Sequence, residues 1–263
     1  MIKVVVHGVL GRVGQEVLRA VCADAELQAV GAVDIKAKDK SIAPPGAAAV
    51  IPLSDDIDSI LSATKPDVVV DFTVYKAAMP AIRIAAKKKV NLVIGTTGFS
   101  QQDIDEIDKL CRDNNIGAIV ASNFAIGAIL MIHMAKIAAK YFDYAEIIEK
   151  HHEKKADAPS GTALSTAKAM IQARGKGFAM PPVEKETLTG TRGGNIDGVS
   201  IHSMRLPGYM ADQDVIFGAP GQTLKISHRT ISREAFMPGV LMAVKHVNKN
   251  KGLVVGLENL LGL

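Results

Sequence analysis

Ile2-Lys3-Val4-Val5-Val6-His7-Gly8-Val9-Leu10-Gly11-Arg12-Val13-Gly14 opens the chain, and its reading decides the fold. The β-branched run ahead of Gly8 predicts a buried strand. Apolar residues at Val13, Val17, Leu18 and Val21 recur at helical spacing and predict a helix over 12–22. The glycines between them let the chain turn tightly, let a pyrophosphate reach the backbone, and let the helix lie close to the sheet. Free N–H groups at the positive end of that helix then face the phosphates. The pattern is a variant of GxGxxG, and a tight turn without a ligand would use the same glycines. Context favours the ligand: a strand precedes, a helix follows, and an acid, Asp34, ends the second predicted strand, Leu27–Val33. Asp34 suits the ribose hydroxyls of NADH, whereas Lys36 and Lys38 offset its repulsion of a 2′-phosphate, so NADH and NADPH both stay open.

Farther along, strands are predicted at 66–72, 91–95 and 116–121, alternating with helices at 55–63, 77–88 and 101–114. That alternation means βαβ units in a doubly wound, parallel α/β sheet. The stretch Pro44-Pro45-Gly46 reads as a loop. After residue 123 the pattern changes. A long helix is predicted over 126–142, a strand over 145–150 and a helix over 160–174. Short alternating stretches at 199–205, 214–217 and 223–228 read as strands of a mixed or antiparallel sheet. A helix over 233–248 closes the chain. The expected division is 1–123 together with 234–263 as one domain and 124–233 as a second, smaller α+β domain.

Bulk composition narrows the classes of function. The chain has 263 residues, 48% of them hydrophobic and 22% charged, which supports a real core and argues against disorder. Trp is absent, aromatics are 4%, and the net charge of +4 is spread without a basic arm. No stacking platform or basic stripe for nucleic acid results, and a small anionic ligand fits better. Cys22 and Cys111 lie far apart inside predicted helices and read as thiols in a reducing compartment. The charge-free run from Ile116 to Ala135 has the length of a membrane span. Ser122-Asn123 interrupts it and Gly117 and Gly127 punctuate it, so a strand, a polar loop and a buried helix are expected instead, in a cytoplasmic protein.

Three further loops follow predicted strands and should meet at the carboxyl edge of the parallel sheet: Asp71-Phe72-Thr73, Gly95-Thr96-Thr97-Gly98-Phe99 and Ala121-Ser122-Asn123-Phe124. Each is either a ligand-binding loop or a plain strand-ending turn. The chemistry gathers elsewhere, in Glu149-Lys150-His151-His152-Glu153-Lys154-Lys155-Ala156-Asp157-Ala158-Pro159-Ser160-Gly161-Thr162. Successive side chains on an extended segment alternate, so His151 and His152 should serve different roles. Lys155 lies beyond the strand, in a loop that can curl back. Ser160 is placed as an N-cap, leaving the Gly161 and Thr162 amides and the Thr162 hydroxyl for a carboxylate or phosphate. Hydride delivery to a polarised double bond creates negative charge that a proton must meet, and Lys155 and His151 are suitable acids. A metal site at His151, His152 and Glu153 is disfavoured, because neighbours on a strand cannot converge on one ion. A solvated charged turn before a capped helix is the plain alternative.

These residues carry a resemblance. The chain resembles the dihydrodipicolinate reductase family, whose signature E-x-H-H-x-x-K-x-D-A-P-S-G-T-A stands unbroken at Glu149–Ala163. The glycine loop, Asp71-Phe72-Thr73, Gly95–Phe99, Asn123-Phe124, Arg192-Gly193-Gly194, Ser227-His228 and Ser232-Arg233 extend the likeness nearly end to end. The resemblance implies NAD(P)H-dependent reduction of 4-hydroxy-tetrahydrodipicolinate to tetrahydrodipicolinate, a small dicarboxylate substrate, and a homotetramer built on an open mixed sheet. It implies His151 and Lys155 as proton donors, and His152, Ser160, Gly161 and Thr162 around the substrate. Gly8, Val9, Leu10, Gly11, Arg12, Val13, Asp34, Gly95, Thr96, Thr97, Ala121, Ser122, Asn123 and Phe124 would hold the cofactor. Departures from the family pattern are His7 before the first glycine, Ile35 after the acid, Met210–Asp214 and Gln222. A related dehydrogenase of another small acid and a dinucleotide sensor without turnover are the competing readings.

Overall fold

The structure is a computed structural model that describes residues 1–44, 46 and 49–263. Pro45, in the middle of the predicted loop 44–46, lies outside the described residues. The chain runs β1 (Ile2–His7), α1 (Arg12–Ala23), β2 (Leu27–Val33), β3 (Ser41–Ile42), β4 (Ile51–Ser54), α2 (Ile57–Thr64), β5 (Val68–Asp71), α3 (Tyr75–Lys87), β6 (Asn91–Ile94), α4 (Gln101–Asn114) and β7 (Gly117–Val120). It continues through α5 (Ile126–Ala138), β8 (Tyr144–His151), α6 (Gly161–Arg174), β9 (Gly194–Ile196), β10 (Val199–Arg205), β11 (Ala211–Ala219) and β12 (Gln222–Thr230). A 3-10 turn (Arg233–Phe236), α7 (Met237–Lys249), β13 (Gly252–Val255) and a final 3-10 turn (Glu258–Leu261) end it. Two compact units result: Met1–Ala125 with Phe236–Leu263, and Ile126–Ala235.

The first unit is a doubly wound α/β sheet in the order β13-β7-β6-β5-β1-β2-β4-β3, parallel except where β3 meets β4. Its central strands are apolar on both faces. Val4, Val5, Val6, Val68, Val70, Val93, Ile94 and Ile119 are completely buried. Such runs suit a parallel sheet covered by helices on either side, and each buried Val or Ile contributes ~1.5–3 kcal/mol. The helices start and stop where their ends are satisfied. Ser100 and Asp103 form a reciprocal capping box on α4, and Asp56 accepts from the Asp58 amide to start α2.

Four strands depart from expectation, one of them β9, three residues paired antiparallel with β10 in the second unit. β3 and β4 lie in the stretch that carries no clear pattern, because they are short and Pro52 interrupts the alternation. β4 still extends the parallel sheet beside β2. β13 follows the closing helix and pairs in parallel with β7, which brings the end of the chain back into the first sheet. The closing helix itself begins at Met237 rather than 233. Pro238 lies in its first turn, where a missing N–H costs nothing, and residues 233–236 form a separate 3-10 turn. The helix predicted over 126–142 ends at Ala138 and passes into a turn. Among the described residues no helix is long and apolar enough to cross a membrane.

The second unit holds a five-stranded mixed sheet, β12-β11-β8-β10-β9, with β8 and β10 parallel and the other pairs antiparallel. One face packs Ala145, Ile147, Val199, Ile201, Val215 and Phe217 against Met131 of α5 and Met170 of α6. The other face carries the alternate residues, including Ile148, Ile216 and a cluster in which Lys150 and Lys225 both pair with Asp214, at 2.5 and 3.0 Å. Hence α5 and α6 cover only one side of this sheet.

One buried amide ties three strands of the first unit. Asn91 donates to the Asp67 carbonyl at 2.8 Å and accepts from the Gly117 amide at 2.9 Å and from Lys251 Nζ at 3.1 Å. Replacing it by an apolar residue of similar size leaves the buried Gly117 amide without its acceptor, while the Asp67 carbonyl keeps the Asn91 backbone N–H at 3.0 Å. Asn91→Leu is therefore predicted to cost about 1–3 kcal/mol in urea unfolding, and an unchanged midpoint would refute that account.

Candidate active site

At the carboxyl edge of the first sheet, β1 runs into the glycine loop. Gly8 has φ +86°, and a Cβ there would lie 2.5 Å from the Phe72 carbonyl oxygen; one at Gly14 would run into the Gly8 carbonyl. The backbone of the β1 loop, the loop after β5 and the first turn of α1 are thus drawn together as no larger residues would allow. Gly11 is the N-cap of α1 and offers no side-chain cap, and no acid occupies the first turn. The amides of the first turn stay available to an anion. A cavity of about 280 Å³ opens beside this turn, walled by His7, Gly8, Leu10, Gly11, Asp34 and Thr73 among others. Glycines that no larger residue could replace, uncapped amides and a cavity fit a dinucleotide.

Asp34 reaches this edge but is already engaged. Its Oδ2 accepts from the Leu10 amide at 2.9 Å and its Oδ1 from the Lys36 amide at 3.0 Å. The carboxylate therefore shapes the glycine loop and keeps one lone pair per oxygen for a ligand. Thr96 is engaged too. Its hydroxyl donates to Asp71 Oδ2 at 2.5 Å and accepts from the Thr73 amide at 2.9 Å, and the residue is buried. Thr73 Oγ1 donates to Asp71 Oδ1 at 2.8 Å, and His7 Nδ1 lies 2.8 Å from the same oxygen. That His7 approach lacks the alignment of a hydrogen bond, so Nδ1 has proximity to charge without a bonded partner. Asp71 thus pins the ends of β1, β5 and β6 together.

The other predicted cofactor residues divide by exposure. Val9 is completely buried, so it presents backbone only, whereas Gly11, Arg12, Thr97 and Ser122 are exposed and Leu10, Val13 and Gly95 half-buried. Ala121 and Phe124 are buried, Phe124 against Phe72 with ring centroids 5.4 Å apart, and Asn123 Oδ1 accepts from the Ala125 amide at 2.8 Å.

In the second unit, β8 ends at His151 and α6 begins at Gly161, and the segment between them folds back on itself. Glu149, two residues before His151, lies on the same strand face and has no exposure to solvent. Its Oε2 lies 2.5 Å from His151 Nδ1, and its Oε1 accepts from the Ser160 amide at 3.2 Å. Arg205, at the end of β10, clasps both oxygens, at 3.0 and 2.7 Å. Burial alone pushes this carboxyl up, but hydrogen bonds from His151, Arg205 and Ser203 outweigh it and hold the pKa at about 2. Glu149 is therefore an ion, and His151 Nδ1 is its proton donor.

Ser160 is the N-cap of α6 and accepts from the Ala163 amide at 3.2 Å. The Gly161 and Thr162 amides lie ahead of the helical bonding, and a Cβ built on Gly161 would meet only open space. Nothing inside the second unit requires glycine there, which is what a ligand approaching the helix end would require. Lys155 is half-buried and rests on Asp157 at 2.7 Å, holding that carboxyl below the usual range. His152 is half-buried beside it. The sequence reading passed over Glu149 and Arg205 as site residues. Strand alternation from His151 points to Glu149, but nothing local points to Arg205.

Comparison with known proteins places this geometry. Residues 2–124 match the family model described as dihydrodipicolinate reductase, N-terminus, and residues 127–261 match the C-terminus model. The chain is 57% identical over 262 residues to a 4-hydroxy-tetrahydrodipicolinate reductase of Dehalococcoides mccartyi, covering 100% of this chain and 99% of the relative. A reductase of the same name from Moorella thermoacetica is 48% identical over 265 residues, covering 99% and 98%. Among solved structures, dipicolinate-bound dihydrodipicolinate reductase from Paenisporosarcina sp. TG-14 superposes with TM-score 0.87 at 39% identity, covering 98% of this chain and 99% of that one.

The depressed Glu149 pKa makes the stability of the second unit sensitive to acid. The folded value of about 2 lies below the ordinary value of 4.5, so the contribution is complete above pH 4.5 and fades as pH falls toward 2. It amounts to roughly 3 kcal/mol. Urea unfolding of the wild type should weaken across that window. Glu149→Gln should be less stable at neutral pH and should lose this part of the pH dependence; an identical acid slope in both proteins would contradict the assignment.

Proposed function

The chain belongs to the dihydrodipicolinate reductase family, and from that premise we propose that His151 and Lys155 are the acids of its reaction. The protein is an NAD(P)H-dependent oxidoreductase that reduces 4-hydroxy-tetrahydrodipicolinate to tetrahydrodipicolinate in the diaminopimelate route to lysine. Its substrate is a small dicarboxylate. Bound NADH or NADPH supplies the hydride. The residues of the chain do the remaining work of binding, orienting and protonating.

The observation that carries the reading is the Glu149 carboxylate shared by His151 Nδ1 and the Ser160 amide. One buried anion orients the imidazole and also anchors the residue that caps α6. With Nδ1 committed, Nε2 is the atom of His151 that can give up a proton. The Gly161 and Thr162 amides, with the Thr162 hydroxyl, accept one carboxylate of the substrate at the positive helix end. His152 assists there, and Ser160 holds the turn in shape. Lys155, tethered by Asp157 at rest, is the second donor. Positioned acids of this kind contribute ~10²–10⁴-fold in rate.

In the same proposal the domain formed by 1–123 with 234–263 binds the dinucleotide. Backbone of Gly8–Val13, Asp34, Gly95–Thr97 and Ala121–Phe124 forms the contact set, with Thr96 acting through the loop it braces. The second (124–233) is the substrate-binding and oligomerisation domain. Its sheet has one face left open by α5 and α6, which supports assembly as a homotetramer. A cytoplasmic setting accords with the two free cysteines.

Three measurements test the reading. Purified protein should oxidise NADH or NADPH when given 4-hydroxy-tetrahydrodipicolinate, and no turnover with either cofactor would reject it. Lys155→Ala should lower kcat by about 10²-fold or more while cofactor Kd stays unchanged; near-full kcat would remove Lys155 from the mechanism. Gly161→Ala should fold with undiminished thermal stability yet bind dipicolinate at least about tenfold more weakly. Undiminished dipicolinate affinity would show that the helix end is not the carboxylate site.

A further inference from the structure

Arg205 lies on a different strand from the proposed acids, and among the described residues its side chain hydrogen-bonds to neither of them. β10 runs parallel to β8 in a register that sets Arg205 opposite His151 and Ser203 opposite Glu149. From there the guanidinium spans the Glu149 carboxylate, Nη1 to Oε2 at 3.0 Å and Nη2 to Oε1 at 2.7 Å. Nη2 also donates to the Asp157 carbonyl at 2.7 Å, so the same fork grips the segment ahead of Ser160. Each carboxylate oxygen then has two partners: Oε1 has Arg205 and the Ser160 amide, and Oε2 has Arg205 and His151 Nδ1. These four bonds, with the Ser203 side chain beside them, hold the carboxylate in place.

We infer that Arg205 is a positioning residue for the reduction, which sets the proton arrangement of His151 by keeping Glu149 anionic and in plane. The inference rests on the assignment of His151 as a proton donor. Its physical basis is the cost of an unpaired buried charge. Arg205 is the only permanent cation in contact with Glu149 among the described residues, since Lys150 is committed to Asp214 and Lys155 to Asp157. Without the guanidinium, a carboxylate sealed from water takes up a proton. A protonated Glu149 donates to His151 Nδ1 instead of accepting from it. The imidazole then holds its hydrogen on Nε2 alone, and the arrangement in which Nε2 gives up a proton while Nδ1 stays bonded to Glu149 is lost. Lysine cannot substitute fully, because an ammonium keeps the charge but cannot bridge two oxygens and a carbonyl in one plane.

The experiment compares full-length wild type, Arg205→Ala, Arg205→Lys and His151→Ala in kinetics, in NADH affinity, and in the ¹⁵N NMR signature of the histidine ring nitrogens. Arg205→Ala should lower kcat by about 100-fold, leave NADH Kd within about twofold, and remove the hydrogen from His151 Nδ1, leaving Nε2 alone protonated. Guanidinium added to the buffer should restore part of kcat. Arg205→Lys should retain the Nδ1–H pattern with kcat down by about tenfold. An Arg205→Ala enzyme with kcat within about threefold of wild type, or with the Nδ1–H pattern intact, overturns the inference. If Arg205→Ala does not fold, Arg205→Lys decides alone, and wild-type kcat there overturns it. His151→Ala at full kcat would sink the donor assignment itself, and the nitrogen pattern in the Arg205 variants would still judge the positioning claim.

Discussion

An anion sealed from water organises the second unit. Glu149 has no solvent exposure, yet it stays ionised because an arginine fork, an imidazole and a backbone amide surround it. Burying such a charge is favourable only when each lone pair finds a donor, and here each does. Three parts of the chain that are remote in sequence are thereby fixed together: the end of β8, the start of α6 and the end of β10. His151 and the helix terminus are arranged by one carboxylate, so their relation does not depend on a mobile loop.

The first unit uses the same device at lower cost. Asp71 gathers His7, Thr73 and Thr96 at the ends of three parallel strands, and Asp34 braces the glycine loop through two amides. In both units, acids that invite a ligand-binding reading also hold the surrounding backbone in shape. Preorganised amides need such support, because a loop that must order itself on binding loses affinity to the entropy of ordering.

The sequence carries the architecture well where periodicity is long. Val4–Val6, Val68–Val70 and Leu92–Ile94 announce a parallel sheet, and helix 12–22 declares itself by apolar spacing. It carries little about strands of two to four residues. Ile51-Pro52-Leu53-Ser54 and Gly252-Leu253-Val254-Val255 have no local feature that separates them from loops, and they become strands because a neighbouring edge accepts them. At the candidate site, His151, Lys155 and Ser160–Thr162 are legible because the chemistry and the helix start are contiguous. Arg205 is not, because its pairing with Glu149 spans 56 positions and depends on which strands become neighbours. The engagement of Asp34 and Thr96 by the protein's own backbone is likewise a property of the folded edge, invisible in spacing.

In the proposed cofactor site Asp34 would do double duty, which bears on how nucleotide preference can be redesigned. Swapping that acid for a neutral or basic residue is the obvious route to accommodate a 2′-phosphate, but it would also unfasten the Leu10 amide. In that proposal selectivity and loop rigidity are coupled in one side chain, and the freer adjustment lies next door. Ile35 is 87% exposed, so a basic replacement there adds attraction for phosphate without touching the brace. A lineage drifting between the two nicotinamide cofactors would find its path of least resistance at that neighbouring position.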